Sequence, residues 1–155
     1  MPSRGLSLLA AVSVVGQALG AGGLYLVMAA VVPAFRELPI PGWLELHRSL
    51  DRSIGRFMPW IAVVTLFAGV ACQGFPQPPA ERLLRGLAVA CVVAAAVVTA
   101  RVNIPINQIV SAQAGNRHGL ADDELVRLRE RWIAGHRART LLAFSGLVLF
   151  VAAIA

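Results

Sequence analysis

Thr99-Ala-Arg-Val-Asn-Ile-Pro-Ile-Asn107 ends a long apolar run with two carboxamides, an arginine and a proline. Thr99, Asn103 and Asn107 recur every fourth residue, so on a continuous helix they form one polar stripe. Pro105 lies inside that stripe. It has no N–H to give and its ring pushes on the carbonyl four residues back, so the Arg101 carbonyl is expected to lose its helical partner. At membrane depth a freed carbonyl must find another donor, and the nearby carboxamides are the cheapest local answer.

The depth follows from what precedes the stretch: an Ala- and Val-rich run long enough to cross a ~30 Å hydrocarbon core. Working outward, spans fall at about residues 6–32, 57–74, 82–103 and 138–155. The expected fold is therefore all-α, an integral membrane four-helix bundle forming a single transmembrane domain over residues 1–155. A short interfacial helix is expected in the first loop.

In the first run, Gly16 and Gly20 form a GxxxG with Gly23 one turn on, which reads as close packing against a neighbour. Arg4 and the later Ala18-Leu19-Gly20 imitate a signal peptide, but the apolar run continues too far beyond them for cleavage. Pro33, Pro39 and Pro41 are expected to end the helix in an extended link. From Pro41 or Gly42 a second helix sets Trp43, Leu46, Leu50, Ile54 and Phe57 in one narrow arc, suited to a membrane surface or the bundle. His47, Arg48 and Asp51 share a neighbouring face, either solvated or part of a site. Residues 107–119 lose periodicity and read as a loop holding Gly115, Asn116 and His118. Asp122 reads as an N-cap, and Leu125, Leu128, Trp132, His136 and Arg139 then fall on one face of a helix that runs into the last span, with Gly135 its weak point.

All fourteen basic residues are arginine, and the net charge is +6. They lie at the ends of apolar runs, with no aromatic-interleaved basic patch, which excludes nucleic acid and points to lipid headgroups. Eleven follow the first and third spans against three elsewhere, so the first and third loops are expected in the cytoplasm of a bacterial plasma membrane and both termini outside. Cys72 and Cys91 show no CxxC and read as small apolar residues.

Thr99, Asn103, Pro105 and Asn107, followed by Arg131-Trp132-Ile133-Ala134-Gly135-His136-Arg137-Ala138-Arg139 and preceded by Val32-Pro33-Ala34, resemble the DUF1772 or anthrone oxygenase-like family of small four-helix membrane proteins. The resemblance implies a hydroxylated anthrone oxidised by O2 to the anthraquinone with no bound cofactor, since the substrate anion itself reduces O2. Such a site needs a base, groups to hold the anion, and shelter from water. His136 is the expected base because its ordinary pKa lies near neutrality. Arg139 and Arg101 would stabilise the enolate, Asn103 and Asn107 would orient its oxygens, and Trp132 would offer a stacking face. His47 and Arg48 are expected beside the substrate. No metal site is expected: His47, His136 and Asp51 are candidate ligands without metal spacing on any one helix. The competing function is a non-enzymatic accessory subunit or lipid or quinone binder. An exposed groove would favour that reading and an enclosed pocket an enzyme.

Overall fold

The computed structural model describes residues 3–113 and 119–155, so Gly115, Asn116 and His118 lie outside the described residues. Among the described residues there are five helices: α1 Arg4–Glu37, α2 Ile40–Ile54, α3 Met58–Cys72, α4 Pro79–Gln113 and α5 Asp122–Ala152. α1 and α4 are each long and apolar enough to cross a membrane, and α2 with α3 meets the same measure as a pair bent by 44° at its break. The protein is an all-α membrane bundle.

Two prolines behave differently from the sequence-based expectation. α1 does not end at Pro33 but continues to Glu37, and α4 continues through Asn107 to Gln113 rather than opening into a loop. In each case a single π turn precedes the proline, over Val27–Val31 and Thr99–Asn103. Val32 N–H reaches Val27 O and Ile104 N–H reaches Thr99 O, five residues back. The wider turn re-spaces the carbonyls around the proline ring, so the helix passes the proline without breaking. Asn103 and Asn107 are thereby released from mending their own helix, and both donate to other helices instead.

α1, α3, α4 and α5 close a ring of antiparallel neighbours. At the α1–α3 seam a side chain on Gly16 would overlap the Thr65 hydroxyl. Gln17 donates to Ala143 O (2.7 Å) across α1–α5, and Asn103 to Trp132 O (3.1 Å) across α4–α5. Gly135 is a point of close approach rather than of weakness: a Cβ there would lie 2.8 Å from Val102 Cγ1 and 3.0 Å from Asn103 Oδ1.

α2 packs over one end, against the last turns of α4 and the start of α5. Its buried side is Trp43, Leu44 and His47, while Phe57 lies beyond the helix and is 53% exposed. The buried face is thus rotated toward His47 relative to the expected arc. Arg129 fastens the same end, donating to the Phe35 and Leu38 carbonyls at the close of α1 (2.8 and 3.1 Å). Beside it Arg36 pairs with Glu130 at 2.8 Å and holds that carboxyl below the usual carboxylate range. α5 starts one residue earlier than expected: Ala121 occupies the N-cap, and Asp122, Asp123 and Glu124 fill the first turn, where they favour the helix dipole.

The opposite end is held by Arg85, only 4% exposed within an apolar helix. Its guanidinium donates to Ala153 O (2.7 Å), to Glu81 (3.1 Å) and to Gln77 Oε1. Arg85→Leu removes those donors from a buried carbonyl and a half-buried amide oxygen, and is expected to lower stability by about 1–3 kcal/mol. Denaturation of the two chains in the same mixed micelles measures it. Cys72 and Cys91 are free thiols, Cys72 fully buried.

Candidate functional site

Between α2 and the other four helices lies a partly enclosed cavity of about 610 Å³. That lies within the range for small-molecule sites. Its wall is mostly apolar, from residues such as Leu24, Val27, Leu50, Met58, Ile61 and Ala95; most of its polar groups, Asp51, Asn107, Thr99, Trp132, His136 and Arg139, come from α2, α4 and α5, while Gln17 and Thr65 line it from α1 and α3. The π turns of α1 and α4 both border it, through Val27, Val31 and Thr99.

Asn107 is the hub. Its amide donates to Asp51 Oδ1 (2.6 Å), which fixes the carboxamide oxygen to accept from Trp132 Nε1 (2.7 Å) and His47 Nε2 (3.0 Å). One side chain thus joins α2, α4 and α5. Asp51 takes no ion pair among the described residues, and this bond occupies one of its oxygens. Arg139, half-buried, lies 5.7 Å from the Trp132 ring and bonds to His136 Nδ1 (3.1 and 2.8 Å) and to Thr99 Oγ1 (3.4 Å). It has no carboxylate within ion-pair distance among the described residues. A guanidinium in an apolar cavity with neutral partners is suited to receive an anion.

His136 is held at both nitrogens. A carbonyl only accepts, so Nε2, 2.9 Å from Leu24 O, carries the proton; a guanidinium only donates, so Nδ1 accepts from Arg139. The ring is neutral and stacks on Trp132, centroids 5.0 Å apart and planes 6° apart. That stack covers one face of Trp132, which therefore lends the cavity less open surface than the sequence suggests. His47 is 2% exposed, stacked on Phe35 at 5.3 Å, and its Nδ1 is sealed without a partner among the described residues.

Of the residues expected at the site, His47, Asn107, Trp132, His136 and Arg139 line this one cavity. Three do not. Arg101 and Arg48 are exposed and do not line it: Arg48 sits about 100° around its helix from the lining His47, and Arg101 lies two residues beyond the lining Thr99, close to the opposite side of its helix. Asn103 is fully buried against the Trp132 backbone and clamps α4 to α5 beneath the cavity. Among the described residues no three His, Cys, Asp or Glu side chains gather as metal ligands.

The sequence matches the anthrone oxygenase family model over residues 46–149. The chain belongs to that family. No curated protein and no solved structure matches it. The matched region carries every polar residue of the cavity named above except Gln17, from His47 to Arg139, whereas the wall from α1 lies outside it. For this anthrone oxygenase family member two wall residues escaped the sequence reading in different ways. Asp51 was visible as part of a helix face and as a candidate metal ligand but not as a base, and Gly20 only as half of a packing motif.

Gly20 packs on nothing. A Cβ built there meets no heavy atom within 4 Å, and the residue borders the cavity. Gly20→Leu is expected to fill the space, lowering affinity for a hydroxyanthraquinone at least tenfold with stability within about 0.5 kcal/mol of the native chain. Titration of the vesicle-embedded protein by tryptophan quenching, beside a denaturation curve, checks both halves.

Proposed function

We propose that this protein is a cofactor-free oxygenase that converts a hydroxylated anthrone, or a related polycyclic phenol, to the quinone with O2 inside the bundle cavity. The observation that carries this is Arg139: a guanidinium without a carboxylate partner among the described residues, beside a hydrogen-bonded carboxylate, in a mostly apolar cavity. A cavity lined by all five helices, rather than a groove along one of them, favours catalysis over an accessory role. The family membership favours the same chemistry.

In this reading Arg139 and Thr99 hold the substrate's oxyanion. Asp51 rather than His136 accepts the proton from the ring CH2, because neither nitrogen of His136 has a lone pair free. The carbanion's electrons pass to O2, the resulting peroxide loses water, and CH2 plus O2 becomes C=O plus H2O. Asp51 returns its proton to the departing oxygen. The protein's share is proton transfer, anion stabilisation and exclusion of water. By the arginine distribution, both termini lie outside a bacterial plasma membrane and the polar end of the cavity lies on the cytoplasmic side.

The test is O2 uptake by metal-stripped protein in vesicles given a hydroxyanthrone. Uptake well above the spontaneous rate, lost in Gly20→Leu, is expected. Absence of acceleration, with or without added metal ions, assigns the cavity to a binding role instead.

A further inference from the structure

Three of the four helix seams are closed at the level of the cavity. Gly16 sits against Thr65 between α1 and α3, Gly135 against Val102 between α4 and α5, and His136 is bonded to Leu24 O between α1 and α5. The α3–α4 seam differs. It is shut near the far end, where a Cβ on Gly69 would lie 2.9 Å from Val89 Cγ2. Seven residues along each antiparallel helix toward α2, the same register brings Ala62 opposite Ala96. Both are exposed, and both line the cavity. Pro59, one turn further along α3, is likewise exposed and lining, and Ile104 on α4 is 44% exposed and lining. The outer face of α3 beside this opening presents Trp60, Val64 and Phe67, each more than half exposed, on the helix pair that is apolar enough to cross a membrane.

We propose that the α3–α4 seam at Ala62 and Ala96 is a lateral portal through which a flat apolar aromatic passes between the bilayer and the cavity. Small side chains on both helices leave the seam open where the next contact along it is closed. The portal's wall is apolar and its outside is hydrocarbon, so it admits a molecule dissolved in the membrane, whereas the charged groups sit at the inner end of the path. This inference rests on the proposed aromatic substrate class, and adds the route by which that substrate arrives.

The test uses the full chain in phosphatidylcholine vesicles with Trp60→Phe, which leaves the buried Trp43 and Trp132 as reporters. A hydroxyanthraquinone is mixed in rapidly and tryptophan quenching followed, with the Gly20→Leu chain as the blank for probe dissolved in lipid. Ala62→Phe and Ala96→Phe are expected to slow quenching at least tenfold while its final extent is retained. Val64→Phe and Val97→Phe, exposed neighbours that do not line the cavity, are expected to leave the rate unchanged. Equal rates in all variants would overturn the portal alone. A fall in final extent matching the fall in rate would also overturn it, by making the two alanines part of the seat. No quenching above the blank in the otherwise native chain would remove the aromatic site and the portal with it.

Discussion

Asp51→Asn is expected to lower kcat for hydroxyanthrone oxidation by about 10²–10⁴-fold while changing KM by less than about threefold. The substitution is nearly isosteric. Its amide oxygen can still accept from Asn107, so the bridge joining α2 to α4 is kept and only the basic oxygen is lost. His136→Ala separates the two candidate bases. Were His136 the proton acceptor, its removal would match the loss in Asp51→Asn. Since its ring instead steers Arg139 through Nδ1 and packs on Trp132, a smaller effect of about tenfold, shared between kcat and KM, is expected. Initial rates of O2 uptake across a range of hydroxyanthrone concentrations give both constants. Equal losses in the two variants would return the base to His136.

Much of this arrangement was legible in the chain because hydrophobic length and helical spacing are local properties. The stripe Thr99, Asn103, Asn107 does face inward, and Trp132, His136 and Arg139 do share the face opposite it. What the chain concealed was rotational phase and register. The proline rule stops a helix at Pro33, but a π turn offers another solution that no residue type announces. Arg101 and Arg139 are both arginines at the edge of an apolar run, and only their angular positions separate the exposed one from the cavity one. Gly16 and Gly20 are the two ends of one GxxxG. One meets Thr65 and the other meets space, because α3 is close at the first and has left room at the second. His47 was ambiguous for a third reason: its burial depends on Phe35 and Trp132, which come from two other helices.

Asn107→Leu is the substitution expected to damage the fold most. Leucine has similar size but neither donates nor accepts, so the buried Trp132 Nε1–H and His47 Nε2–H lose their acceptor, and Asp51 loses its donor. Each stranded buried donor costs about 1–3 kcal/mol, while Asp51 borders the cavity and keeps some hydration there. Together these give a destabilisation of about 2–5 kcal/mol, offset only slightly by the added apolar contact. Asn107→Asp sharpens the test because it restores an acceptor for both rings but sets a second carboxylate against Asp51 Oδ1, now 2.6 Å from the Asn107 amide. Like charges at that range cannot both ionise comfortably, so one carboxylate takes a proton and activity falls even where stability is partly recovered. Reversible denaturation in mixed micelles, followed by near-ultraviolet circular dichroism of the buried Trp43 and Trp132, reads the stability of each variant. A loss below about 1 kcal/mol in Asn107→Leu would mean that the two rings find other acceptors, and that the hub orients the site without holding α2 to the bundle.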